Sequence, residues 1–287
     1  MEHIVIGVGD SASRMAVDWV IRRARRHPTR IHLVRAFDSL MEDRMDGLRL
    51  LADESKRILA SVPDAEVTTA LVMSAVPDAL GNAALGADLV VIGAHRDHPV
   101  RSTLRGAVPL RVAASVRCAT VIVPMDWRVG TGQEIVAGLD DDGTSDEAVL
   151  FAAREAVATH STLTVVHVWS IPGTAGDDVL LLPEDVVIRE HHDEVLAETL
   201  DRIRAAEPAA VVQGALEQRQ VATALADHAT RAELIVIGSH RRGPISGLVW
   251  GSTARGLLTR TATAICIVPP LDPIPEDLEL LELADRS

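Results

Sequence analysis

The chain has 287 residues, 47% of them hydrophobic and 24% charged, with a formal net charge of −13. That length gives one large domain or two small ones, each with room for a core. The acidic balance argues against a nonspecific nucleic-acid binder and a polybasic membrane anchor, and 2% aromatic residues with no Tyr leave almost nothing for a base-stacking platform.

No apolar run approaches the ~20 residues that cross a bilayer. The start, Met1-Glu2-His3-Ile4-Val5-Ile6, lacks the charged-then-apolar pattern of a signal peptide. Cys118 and Cys266 form no C-x-x-C pair, so neither a zinc ribbon nor a redox dithiol is expected, and a reducing cytoplasm is the natural setting. Both thiols are expected to be inert.

Short β-branched runs bounded by turn residues predict strands at Ile4–Val8, Ile31–Phe37, Val67–Val72, Leu89–Gly93 and Thr120–Pro124. Helical periodicity fills the gaps. Ala16, Trp19, Val20 and Ala24 share one helix face, with Ser11 or Ser13 as the expected N-cap. Arg22, Arg23, Arg25 and Arg26 read as the wet face and end of that helix. Met125–Gln133, with Gly130 and Gly132, reads as a linker. The plan then repeats: strands at Ile135–Leu139, Leu163–Trp169, Val211–Leu216, Leu234–Gly238 and Ala264–Pro269, and a helix face of Val149, Ala152, Ala153 and Val157 after Thr144 or Ser145.

The repeat is direct. Leu89-Val90-Val91-Ile92-Gly93-Ala94-His95-Arg96 returns as Leu234-Ile235-Val236-Ile237-Gly238-Ser239-His240-Arg241. Gly106 and Pro124 return at the same offset as Gly251 and Pro269, whereas Gly7 matches Gly138 at a shorter one. The second half therefore carries an insertion, placed at Ile171–Asp185. Strands alternating with helices imply parallel sheets covered on both faces. The expected fold is α/β: two tandem doubly wound, Rossmann-like domains at 1–126 and 133–270, with an acidic tail at 271–287.

Ligands of such sheets bind outside the carboxyl ends of the strands. After the fourth strand of the second half comes a Gly-rich loop from Gly238 to Gly251, and then Ser252 and Thr253 open a helix. Backbone N–H groups, a helix dipole and two hydroxyls there suit a phosphate, with Arg241 and Arg242 as cationic partners. The plain alternative is a strand-to-helix loop capped by Ser252. Rival motifs are weaker. Gly7-x-Gly9-x-x-Ala12 with Asp38 is like a dinucleotide fingerprint, but the second half lacks it. No Gly-Lys-Ser/Thr run exists, which excludes a P-loop. Neither His95 with His98 nor His191 with His192 sits at i, i+4 on a helix with an acidic partner, so both pairs read as solvated surface and no metal site is expected.

Together these residues resemble the universal stress protein family in its tandem, two-domain form. The family's nucleotide-binding members carry Gly-x2-Gly-x9-Gly-Ser/Thr after the fourth strand. Gly238, Arg241 and Gly251-Ser252 keep that spacing. Gly138-Leu139-Asp140 matches the mark after the first strand, and Val121-Ile122-Val123-Pro124 and Cys266-Ile267-Val268-Pro269 match the closing strand. The resemblance covers residues 3–270. It implies an ATP or other adenine-nucleotide site, with or without Mg²⁺. Asp140 would lie near the ribose and adenine, Gly138 would allow close approach, and Val168 and Val221 would line the base. Gly238, Ser239, His240, Arg241 and Arg242 would wrap the phosphates, with Gly251, Ser252 and Thr253 closing on them. Gly7, Asp10, Val76, Gly93 and Gly106 would form a poorer counterpart in the first half, whose loop lacks the Ser/Thr hydroxyl and carries Asp97.

Arg96 and Arg241 replace the family's second glycine, and two outcomes stay open: Arg241 pairs with a phosphate, or it blocks the site. The expected function is that of a non-catalytic, ATP-binding stress-response sensor acting on an unknown protein partner. Any ATP hydrolysis should be slow, because no water-positioning base or Mg²⁺ carboxylate pair is evident. The alternative is an interaction protein that has lost nucleotide binding; a nicotinamide oxidoreductase is a distant third. The apolar last strands, Ala119–Pro124 and Ala264–Pro269, should pair with each other and remove an exposed edge. One chain would then be an internal pseudo-dimer, and a further homodimer is left open.

Overall fold

Ile4, Val5 and Ile6 are all fully buried, which requires cover on both faces of the first strand. The computed structural model describes residues 1–9, 11–37, 44–95, 108–128, 133–141, 143–169, 183–239 and 252–270. The strands of the first half are β1 (Glu2–Gly7), β2 (Thr29–Phe37), β3 (Glu66–Met73), β4 (Leu89–Ala94) and β5 (Ala119–Pro124). Those of the second are β6 (Glu134–Leu139), β7 (Thr162–Trp169), β8 (Val211–Gln218), β9 (Leu234–Gly238) and β10 (Ala264–Val268). Between them run α1 (Ser11–Ala24), α2 (Arg44–Ser61), α3 (Val76–Ala83), α4 (Val108–Ser115), α5 (Asp146–Thr159), α6 (Pro183–Ala206), α7 (Val221–His228) and α8 (Ser252–Arg260).

All ten strands join one sheet in the order β3-β2-β1-β4-β5-β10-β9-β6-β7-β8. Every neighbouring pair is parallel except β5 with β10, which is antiparallel. The two last strands therefore pair as the edge argument requires. At the centre of that pairing Cys266 faces Val121. These are equivalent positions of the two halves, so a pseudo-twofold axis passes between them.

Two apolar layers follow. Ala16, Trp19 and Val20 of α1, Leu51 and Ile58 of α2, Ala152 and Ala153 of α5, and Leu196 and Ile203 of α6 fill one face of the sheet. Leu80 of α3, Leu110 of α4, Leu225 of α7 and Leu257 of α8 fill the other. Leu51 and Ile58 correspond to Leu196 and Ile203, so α2 and α6 dock in the same register. Helix α6 has 24 residues against 18 in α2. The expected insertion at Ile171–Asp185 therefore overlaps the first turn of α6, and the extra length is partly helix. Residues 170–182 lie outside the described residues, as does the tail from 271 onward.

One local expectation is corrected and another is borne out in position. Ser11 and Ser13 lie inside α1, and Ser13 Oγ accepts the N–H of Gly9 at 3.1 Å. Ser145 does stand at the N-cap of α5, but its Oγ accepts from the N–H of Asp140 at 3.1 Å and caps no helical N–H. In both halves the serine ties the strand-end turn to the start of the next helix.

The basic run of α1 is not simply a wet face. Arg23 lies between two carboxylates, reaching Glu2 at 2.8 and 3.0 Å and Glu155 of α5 at 2.5 and 2.6 Å. Its side chain is 15% exposed and that of Glu155 9%. Burial opposes its charge, but hydrogen bonds and attraction from Glu155 and Glu2 outweigh that and raise the guanidinium pKa above its ordinary value. Arg22 and Arg26 both pair with Glu233. Arg23 thus faces across the pseudo-twofold axis, whereas Arg25 and Arg26, just past the end of α1, are exposed as expected.

Candidate functional site

Parallel winding sends every strand's carboxyl end, and the start of the helix that follows, to one edge of the sheet. In the second half this edge collects the ends of β6 and β9, which are hydrogen-bonded neighbours. Gly138 and Asp140 thus lie beside Gly238 and Ser239. Asp140 is half-buried and held: its N–H donates to Ser145, and Thr144 Oγ1 donates to its Oδ2 at 3.2 Å. Val168 of β7 packs against the layer that holds α7 and α8, and Val221, the first residue of α7, is 38% exposed. Ser252 and Thr253 open α8, whose first turn carries the positive end of the helix dipole.

Sequence reasoning missed the residue that positions α8. A Cβ on Gly256 would stand 2.6 Å from the Cβ of Ala222. Glycine there lets α8 lie directly on α7, so that the two helices begin side by side. A lone Gly inside a helical pattern was the available signal.

The strand-end glycines answer to packing. A Cβ on Gly238 would lie 2.8 Å from the Thr144 carbonyl oxygen, and one on Gly93 only 2.2 Å from that of Ala12. Those on Gly138 and Gly7 would lie 3.2 Å from Leu225 Cδ1 and 3.0 Å from Leu80 Cδ1. The N–H of Ser239 donates to the Val268 carbonyl at 2.9 Å. Protein contacts thus account for these glycines and for that donor. His240, Arg241, Arg242 and Gly251 lie outside the described residues, as do Asp10 and Gly106 of the first half.

The first half differs where Asp140 stands. The equivalent residue is Gly9, and a Cβ built on it would meet Arg35 Nη1 at 2.8 Å. A guanidinium fills the place of a carboxylate. Val76 opens α3 as Val221 opens α7.

One side-chain cluster overturns an expectation. His192 is not a solvated surface residue: it is 9% exposed and its ring stacks on Trp169 at 5.2 Å. Its Nδ1 lies 2.9 Å from Nε2 of the fully buried His167 and 3.1 Å from Oδ1 of Asp141. His167 Nε2 and Asp141 Oδ1 are 2.9 Å apart. The three residues come from the turn after β6, from β7 and from α6, far apart in sequence, so local spacing carried no sign of them. His191, its neighbour, is exposed.

The model of the universal stress protein family matches residues 1–124 and again 132–269. A universal stress protein of Mycolicibacterium smegmatis is 25% identical over 93% of this chain and 97% of its own length. One of Mycobacterium tuberculosis is 23% identical over 92% and 95%. Among solved structures, a universal stress protein of Archaeoglobus fulgidus superposes with a TM-score of 0.66 at 15% identity, over 93% of this chain and 96% of the other. Among the described residues no helix is long and apolar enough to cross a membrane. Two family matches, one per half, with one sheet plan repeated about the β5–β10 seam, make this chain a member of the universal stress protein family in its tandem form.

Proposed function

We propose that the chain binds an adenine nucleotide, ATP with or without Mg²⁺, at the strand-end edge of its second half, and acts as a non-catalytic regulator in a stress response. The carrying observation is Asp140, pinned by Thr144 and Ser145 at the edge where α8 begins. A fixed carboxylate suits ribose hydroxyls, and a helix N-terminus with Ser252 and Thr253 suits phosphate. The exposed Val221 and the half-buried Val168 offer an apolar wall for a base. Bound ATP supplies charge and shape that a partner can read. The residues of the edge do no more than bind and orient it.

The test is to denature freshly purified protein and identify released nucleotide by mass spectrometry, then titrate ATP by calorimetry. Asp140→Ala should weaken binding at least tenfold, about 1.4 kcal/mol, and Asp10→Ala should do less. Equal losses would reject the asymmetry, and no ATP binding by the unaltered protein would reject the reading.

The second reading is an interaction protein of the same fold without a nucleotide. The packing demand on Gly238 and the engaged N–H of Ser239 favour it, since neither then needs a ligand to explain it. Arg241→Gly separates the two. A phosphate-binding Arg241 predicts equal or weaker ATP binding in that variant, and a blocking Arg241 predicts a gain.

A further inference from the structure

We propose that Asp141, His167 and His192 form a binding site for a divalent transition-metal cation of the zinc type. His167 Nδ1 lies 3.1 Å from the Leu139 carbonyl oxygen, a contact that only an Nδ1–H can satisfy. The proton is thereby fixed on Nδ1, and Nε2 presents a lone pair. That lone pair faces Asp141 Oδ1 at 2.9 Å, and a carboxylate is also acceptor-only. His192 Nδ1 can donate one proton to one of them, which leaves two electron-rich atoms in contact. A shared cation resolves the conflict.

The spacing fits a metal. Ligand atoms about 2.1 Å from an ion and ~90–109° apart lie about 3.0–3.4 Å from one another. The three separations here are 2.9, 2.9 and 3.1 Å, so the donors already stand as one face of a coordination sphere. Two imidazoles and a carboxylate suit zinc and its neighbours better than Mg²⁺ or Ca²⁺. On binding, neutral His192 moves its proton from Nδ1 to Nε2 and gives the Nδ1 lone pair to the metal, so no net charge leaves the protein. The Leu139 carbonyl and the Trp169 ring hold the two imidazoles in place. Asp141 is half exposed, which opens the remaining coordination positions to water.

The first half gives the internal control. The register places Arg35 where His167 stands, and Gly47, four residues before Leu51, where His192 stands four before Leu196. The same pocket thus holds a guanidinium in one half and three metal-type donors in the other. None of the three donors is among the residues assigned to the nucleotide, although Asp141 follows Asp140 directly in the chain.

The experiment strips full-length protein with chelator, then measures retained Zn²⁺ by equilibrium dialysis with elemental mass spectrometry, and visible absorption on adding Co²⁺ alone. We expect one zinc per chain at micromolar free metal and a Co²⁺ d–d band. His192→Ala and Asp141→Asn should each lower affinity at least tenfold, with the fold checked by circular dichroism. His191→Ala and Arg35→Ala should leave binding unchanged. Asp141 is exposed, so its variant remains informative if a histidine variant misfolds. No zinc retained by the unaltered protein would overturn the proposal, leaving a second proton as the shared cation. Binding untouched by both site variants, or lost equally in His191→Ala, would also overturn it.

Discussion

Arg35 and Gly47 in the first half, His167 and His192 in the second: the same two positions of one fold hold a cation beside an empty helix face, and two imidazoles beside a carboxylate. The consequence in the first half is a pocket of about 300 Å³ bounded by Gly9, Arg35, Phe37, Arg44 and Gly47. In the second half His192 stacks on Trp169 and reaches His167 and Asp141. The backbone conserves strand order, helix register and the Ser13 and Ser145 ties, while the chemistry at the strand ends has separated. A duplicated scaffold tolerates this because the sheet and its apolar layers are held by Leu51, Ile58, Leu196 and Ile203, not by the edge residues.

The largest test of the comparison is at the axis. Arg23→Ala leaves Glu2 and Glu155 facing each other with no cation between them, and breaking a pair this buried costs about 3–5 kcal/mol. Denaturant unfolding measures it. Replacing Arg23 and Glu155 together by Met should recover most of the loss, and failure to recover would assign the loss to Glu2 instead. Next come the matched glycines. Gly93→Ala forces a Cβ to within 2.2 Å of a carbonyl oxygen, and Gly238→Ala to within 2.8 Å. The first should cost about 3 kcal/mol and the second about 1, at the two ends of the usual overpacking range. Equal melting shifts would show that the two helix starts give way alike.

The smallest effect is chemical. Burial pushes the Cys118 thiol up to about 11, so at pH 8 only about a thousandth of it is thiolate. Cys266 is fully buried, and burial together with Glu155 raises its pKa well above the ordinary value. Since the thiolate is the reactive form, Ellman's reagent at pH 8 should modify Cys118 slowly and Cys266 only after unfolding. Fast labelling of Cys266 would show that the β5–β10 seam opens.

All ten strands were legible: the central ones write short β-branched runs bounded by turn residues, and the outermost, β3 and β8, which are only partly buried, follow from the repeat of one plan in the two halves. The pairing of Ala119–Pro124 with Ala264–Pro269 was legible too, as an edge too apolar to leave open. What stayed hidden was set by long-range packing. Nothing in the run Arg22 to Arg26 says that one member meets Glu155 across the axis. His192 lies 25 residues from His167, and its partner acid lies on a third element. Gly93 and Gly238 belong to a pattern that points to a ligand, yet their nearest constraint is the start of the neighbouring helix. Strand ends and helix starts are both visible in the pattern, so the places of Asp140 just after β6 and of Ser252 at the start of α8 were legible. The loop joining Gly238 to Ser252 lies outside the described residues.

The Arg23–Glu155 contact has a meaning beyond its energy. The two residues occupy equivalent positions, as their flanking apolar patterns show, and they meet on the pseudo-twofold axis. On a true twofold axis every residue meets its own copy. A first half paired with itself would set Arg23 against Arg23, and a second half would set Glu155 against Glu155. Each half is therefore mismatched to itself and matched to the other. The two halves are complements, like a key cut with its lock: a half paired with its own copy would lose the Arg23–Glu155 contact and set like charges together at the seam, with Glu2 alone left to offset the arginines of the first.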